Sequence, residues 1–115
     1  MKRAGQIALM PFPYTNLVNN KKRPVLLLRK LSQNPDDWLV CMVSSQLRQL
    51  QPDLDWVLTP EDDEFRESGL KVSSVFRLCR VAVLDGSLLI GKLGAIPDVR
   101  LRELQQRLAS WIIDG

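Results

Sequence analysis

Lys21-Lys22-Arg23-Pro24-Val25-Leu26-Leu27-Leu28 sets three adjacent cations against a proline and four aliphatic residues. A continuous apolar run of strand length is the pattern of a strand covered on both faces. The cations close a polar, turn-prone stretch that starts at Tyr14, so the segment reads as a loop of about ten residues fastened onto the first turn of a buried strand. Pro24 biases the preceding residue toward extended backbone and so directs Arg23 along the strand axis at the strand's mouth. A guanidinium mounted that way can grip a phosphate. The plainer alternative is a solvated turn ahead of a core strand.

Upstream, Gly5-Gln6 precedes Ile7 to Met10, a first strand that Pro11-Phe12-Pro13 should end, because prolines do not sit in a central ladder. Downstream, Ser32 to Asp37 is a dense turn signal, and Trp38 to Val43 is a third strand that turns abruptly polar at Ser44-Ser45-Gln46. An exposed connection from Leu47 to Asp53 leads to a short strand around Leu54 to Leu58. Thr59-Pro60-Glu61-Asp62 predicts a helical turn with Thr59 as N-cap and Pro60 in the first position. Strand-rich sequence follows from Ser74 to Leu84, then a hairpin-type Asp85-Gly86 turn and a strand from Ser87 to Leu93. The last segment changes period: Val99 or Leu101, Leu104, Leu108, Trp111 and Ile112 share one stripe of a helix that begins near Pro97 or Asp98. Helices do not alternate with the strands, so the expectation is a small, strongly curved antiparallel β-barrel with a C-terminal helix.

The chain has 115 residues, 45% hydrophobic and 25% charged, which fits one soluble domain over residues 1–115 with a core that needs no disulfide or metal. Apolar runs fall far short of the roughly 20 residues of a membrane span, and Ile7 to Met10 is too brief for a signal peptide, so the expected compartment is the cytoplasm. Cys41 and Cys79 lie in apolar runs without paired-ligand spacing and read as small core hydrophobes. The sequence contains no histidine. That removes the usual general base at neutral pH and every Ser-His or Cys-His nucleophile. Any catalysis must use carboxylates, arginine, lysine, tyrosine or hydroxyls. The net charge of +3 suits an anionic partner.

Arg23 stands at a strand start and Ser44-Ser45-Gln46 at the end of what should be an antiparallel neighbour. If those strands pair, a guanidinium and two hydroxyls meet at one rim and can bind a phosphodiester. Arg77, inside Val75-Phe76-Arg77-Leu78, should point outward by alternation. Glu61-Asp62-Asp63-Glu64 reads as a solvated helix start, because consecutive carboxylates diverge on a helical turn; no metal site is expected. Lys71 and Lys92 are isolated and suggest no role. Phe12, Tyr14 and Trp56 could stack on bases if exposed.

These segments, in this order, resemble the PemK/MazF-like toxins of type II toxin–antitoxin systems. Gly5-Gln6-Ile7 with Pro11-Phe12-Pro13, then Lys22-Arg23-Pro24-Val25-Leu26-Leu27, then Val43-Ser44-Ser45-Gln46, are similar to the family's opening strand and loop, its Arg-Pro motif and its hydroxyl-bearing segment. Gly69-Leu70-Lys71, Ser74-Val75, Leu84-Asp85, Leu89 to Gly94 and the final helix resemble the second half. The resemblance implies an SH3-like barrel that forms a homodimer and cleaves single-stranded RNA without cofactor or metal. It also implies a cognate antitoxin whose disordered tail occludes the RNA groove and through which the complex binds DNA. Arg23 matches the catalytic arginine, Ser44 falls where a catalytic threonine is usual, and Arg77 matches an arginine that some members use as general acid. Tyr14, Thr15, Lys21, Lys22, Ser45, Gln46 and Ser74 are the implied substrate contacts. The implied reaction is attack by the substrate's own 2′-hydroxyl on the adjacent phosphorus.

Three positions depart from the pattern. Gln6 stands for an acidic residue, Ser44 for threonine, and Cys79 for an aspartate that some members carry. Losing the carboxylate at 79 removes a general base and implies low activity or a narrow substrate set. Two other readings accompany the nuclease: a barrel of the same fold that binds RNA or antitoxin without catalysis, and a protein-interaction module unrelated to RNA.

Overall fold

The apolar run of the Arg-Pro segment is buried on both faces, and its alternation builds two cores. In the computed structural model, residues 2–12, 21–33 and 35–115 are described. The strands are β1 (Gln6–Phe12), β2 (Lys21–Lys30), β3 (Asp37–Ser44), β4 (Trp56–Leu58), β5 (Ser74–Asp85) and β6 (Gly91–Ala95); the helices are α1 (Phe65–Ser68) and α2 (Asp98–Asp114). Leu26 and Leu28 of β2 pack with Ile7, Val43, Phe76 and the buried α2 residues Leu101, Leu104 and Leu108. Val25 and Leu27 point the other way, into a cluster with Met10, Phe12, Trp38, Val40 and Met42. Fully burying one such side chain is worth about 1.5–3 kcal/mol, so both faces contribute.

The sheet has six strands in the order β4-β5-β3-β2-β1-β6, and every neighbouring pair is antiparallel. This is a mainly antiparallel β half-barrel with a C-terminal helix. Its end strands β4 and β6 do not pair, so the expected barrel is open along one seam. There α1 abuts β6 backbone to backbone. Gly69, at φ 73° in the left-handed C-cap of α1, and Gly94 of β6 permit it, because a Cβ at Gly69 would overlap the Leu93 carbonyl and one at Gly94 would overlap Glu67 and Ser68.

Several expectations need correcting. Pro11 and Phe12 continue the ladder opposite Lys22 and Lys21 instead of ending it. The proline is tolerated because β6, the other neighbour of β1, pairs no further than Leu9 with Gly91. For the same reason Lys21, Lys22 and Arg23 are strand residues and not the end of a loop. The helical turn begins at Phe65, not at Pro60; residues 59–64 form turns in which the Asp62 carboxylate accepts from Thr59 N at 2.7 Å and from Thr59 Oγ1. Asp85-Gly86 opens no hairpin. Gly86–Leu88 is a 3₁₀ turn, and β6 crosses the sheet to pair with β1. On α2 the stripe buries Leu101, Leu104 and Leu108 but leaves Val99 at 84%, Ile112 at 67% and Trp111 at 46% exposure.

Helix α2 is tied down by polar contacts as well. Leu28 is the extra residue at the bulge of β2 against β3, and its carbonyl accepts from Gln105 Nε2 at 2.8 Å. Arg100 grips Glu64 with two nitrogens, pairs with Glu103, and lies over the Trp56 ring at 4.6 Å. Those charge-assisted bonds raise the Arg100 pKa further, the Glu64 hydrogen bonds most.

Candidate functional site

The cleft opens where the β2–β3 ladder stops. Its last pair toward the mouth is Val25 with Met42, one residue short of Pro24, which has no N–H to extend a ladder. Carried two residues further, the same register sets Arg23 across from Ser44, while Met10 of β1 pairs with Arg23 on its other side. Lys22, Arg23 and Pro24 form one wall of an open cleft of about 380 Å³. Val43, Ser44, Ser45 and Gln46 form the second, and Gly69 to Val72 with Ser74 and Leu93 the third. The close approach of α1 to β6 carries that third wall to the site.

Among the described residues, three cations, Lys22, Arg23 and Lys71, line the cleft with three serines and a glutamine, and no carboxylate is in this lining. An anion entering here meets donors and positive charge on every side. Ser44 is buried; its Oγ accepts from Gln46 N at 3.0 Å and donates to Gln49 Oε1 at 3.5 Å. The Ser74 hydroxyl donates to the Val72 carbonyl at 2.8 Å and braces the third wall. Ser45 and Gln46 are exposed at the rim, whereas Lys21 is exposed on β2 outside the lining. Tyr14 and Thr15 lie outside the described residues. Of the remaining aromatics proposed for stacking, Phe12 is buried in the second core and Trp56 packs on Phe76 at 4.7 Å beneath Arg100, so neither presents a free face.

Arg77 corrects the expectation of an outward arginine: it is 8% exposed. It pairs with Met42 on the sheet face that carries Ser44, just before β5 shifts register at its bulge against β3. The connection after β3 covers it. Gln49 Oε1 accepts from Arg77 Nη1 at 3.2 Å, and Arg77 Nη2 donates to Cys79 Sγ at 3.5 Å. The Asp55 carboxylate, with no exposed side-chain area, sits 3.9 Å from Arg77 Nε, too far for a hydrogen bond but within ion-pair range. Asp55 also accepts from Gln51 N at 3.0 Å, Cys79 N at 3.2 Å and the Cys79 thiol at 3.5 Å. Burial, and then the Asp55 charge, push the Cys79 thiol up from its ordinary range; burial does the same to Cys41. Both thiols are free.

The sequence reading missed Lys71, Gln49 and Asp55. Asp55 carried a signal: it stands in the apolar stretch Leu54 to Leu58, as Arg77 does in Val75 to Leu78, and two opposite charges so embedded call for each other. Gln49 carried none. Among the described residues no group of His, Cys, Asp and Glu side chains is arranged to hold a metal ion. Likewise, no helix among them is long and apolar enough to cross a membrane.

Fold and cleft together define a class, a small antiparallel half-barrel that presents a cationic cleft at one mouth. The chain belongs to the family of PemK-like, MazF-like toxins of type II toxin–antitoxin systems, whose family model matches residues 3–112. Among solved structures it is similar to an endoribonuclease in complex with its cognate antitoxin from a mycobacterial species, at TM-score 0.68 and 15% identity, covering 97% of this chain and 95% of that one. It is also similar to the Mycobacterium tuberculosis toxin MazF-mt6, at TM-score 0.62 and 17% identity, covering 91% and 93%. At such identities the likeness carries the fold alone. No curated protein sequence matches the chain.

Proposed function

We propose that this chain is an endoribonuclease toxin that cleaves single-stranded RNA by attack of the substrate's own 2′-hydroxyl on the adjacent phosphorus. One observation carries the reading: Arg23 and Ser44 line the same cleft, with three cations and no carboxylate among its described lining residues. The 2′-hydroxyl gives up its proton to solvent water as the O2′–P bond forms, and the P–O5′ bond breaks, leaving a 2′,3′-cyclic phosphate and a 5′-hydroxyl protonated from water. The nucleophile comes from the substrate, so the protein has only to position the phosphodiester and stabilise charge. Arg23 meets the charge that builds on the non-bridging oxygens; as arginine stays protonated near neutral pH, its contribution is electrostatic. The Ser44 hydroxyl turns from Gln49 to one of those oxygens. Lys22 and Lys71 hold flanking phosphates, with Ser45 and Gln46 at the rim. No step uses a metal, because phosphate charge is met by guanidinium and ammonium groups. Arg77 serves the site from behind Ser44.

The family supports the partners that go with this reading. They are a cognate antitoxin, whose acidic segment would match the cationic cleft and which would carry DNA binding by the complex, and a second copy of the chain in a homodimer. The compartment is the cytoplasm, and residues 1–115 act as one domain.

The test is cleavage of end-labelled single-stranded RNA by purified protein in EDTA, with analysis of product ends. Arg23→Ala should lower kcat by about 10²–10³, the scale of losing a transition-state donor, with unchanged circular dichroism. Cleavage unaffected by both Arg23→Ala and Ser44→Ala would refute the assignment. The same cleft, with no carboxylate to serve as general base, favours a second reading: a barrel that binds RNA without cleaving it. RNA retained at low salt with no products over hours would establish that reading instead.

A further inference from the structure

We infer that Gln49 is a positioning residue for Ser44, itself held by the buried Arg77–Asp55 pair. The catalytic consequence rests on the endoribonuclease reading; the structural consequence does not. A serine hydroxyl has one proton and two lone pairs. At Ser44, Gln46 N occupies one lone pair at 3.0 Å, and the proton is directed at Gln49 Oε1 at 3.5 Å. Serine lacks the β-branch that restricts χ1, so nothing within the residue keeps its hydroxyl aimed at the cleft. Beside the bond from Gln46 N, Gln49 adds a second restraint from outside by fixing where the proton points.

Gln49 lies in the 3₁₀ turn Leu47–Gln49 and could not hold one rotamer alone. Its oxygen is anchored by Arg77 Nη1 at 3.2 Å, and Arg77 is anchored in turn by Asp55 and Cys79. The order of lengths fits the task. The bond from Arg77 is the shorter, while the bond from Ser44 is long enough to exchange cheaply when a phosphate oxygen arrives. Arg77 is buried and outside the cleft lining, so its route to the reacting group runs through Gln49.

The experiment pairs kinetics with NMR on the full chain. Gln49→Ala should lower kcat about tenfold with KM nearly unchanged, the scale of one lost hydrogen bond in the transition state. Gln49→Glu, whose carboxylate accepts the same two bonds but adds negative charge beside the phosphodiester, should keep Ser44 in place in the NMR readout without restoring the rate. Adding Ser44→Thr to Gln49→Ala should recover most of the loss, because the β-branch replaces the missing restraint; a merely structural role for Gln49 predicts no rescue. In a Ser44→Ala background Gln49→Ala should have no further effect.

Independently of activity, Gln49→Ala should average the three-bond couplings that report Ser44 χ1 and speed amide exchange at Gln46 about tenfold, leaving exchange in the β3–β5 ladder unchanged. Unchanged couplings and exchange would overturn the proposal, as would an equal loss of kcat with and without the Ser44 hydroxyl. Absence of RNA cleavage by the unmodified protein would refute the endoribonuclease reading and leave the NMR outcome to decide the positioning role.

Discussion

Asp55→Asn removes one charge from the buried pair while keeping its shape. Two unit charges at the 3.9 Å between Arg77 Nε and Asp55 Oδ2 attract by about 4 kcal/mol at the effective dielectric of 20 that suits protein sites. The side chains are 10% and 0% exposed, so water cannot replace the lost partner. After the substitution the guanidinium keeps only Gln49 and the Cys79 thiol, neither charged as an acceptor should be. The new amide adds a second cost: its NH₂ must face Gln51 N or Cys79 N, both of them donors. The expected loss is about 3–5 kcal/mol, the range for breaking a buried pair from one side. Guanidinium denaturation followed by fluorescence would show it as a lower midpoint at unchanged slope. Arg77→Gln added to Asp55→Asn should recover part of the loss by removing the orphaned cation. A loss under about 1 kcal/mol, or strictly additive effects of the two changes, would show that the pair is solvated and the electrostatic reasoning wrong.

Three further outcomes are expected. Gly94→Ala drives a Cβ into the backbone of Glu67 and Ser68 and should cost about 1–3 kcal/mol in thermal or chemical unfolding, whereas Gly91→Ala, with nothing within 4 Å, should stay within about 0.5 kcal/mol. Asp36 is held at a pKa of about 2 by hydrogen bonds from Lys2 first and then from Trp38 and Lys30. Its folded pKa lies below the ordinary 3.8, so its stabilisation is present above about pH 4 and lost as pH falls through about 2. Urea midpoints of the unmodified protein and Asp36→Asn should therefore differ at pH 5 and converge near pH 2. Lys71→Gln should lower the slope of log K against log salt for single-stranded RNA by about 0.7, one phosphate contact, while Lys92→Gln, outside the cleft, should leave it unchanged.

Much of the half-barrel and part of its site were legible in short stretches of sequence. Val25 to Leu28 admits no wet face, the spacing of Leu101, Leu104 and Leu108 is helical, and Pro24 dictates extended backbone at Arg23. Each of those constraints acts within a few residues. Illegible were the strand register at Lys21 and Lys22, the crossing of β6 to β1, and the recruitment of Lys71. Backbone pairing is blind to side-chain charge, so cations can ride in a strand whose hydrophobic signal has already ended. The crossing of β6 depends on which edge of the sheet is vacant, and that no turn motif encodes.

Arg77 marks the boundary. Strand alternation placed it on the face opposite Phe76 and Leu78, and this holds; that face was expected to be solvent. The connection bearing Gln49 and Asp55 folds over it and turns an outward residue into a buried one. Sequence alone therefore settled the buried strand from Val25 to Leu28, the C-terminal helix and the extended backbone at Arg23, because those follow from local sterics and periodicity. Tertiary structure decided which charges meet and which hydroxyls line the cleft, because electrostatic pairing and burial are set by segments far apart in the chain.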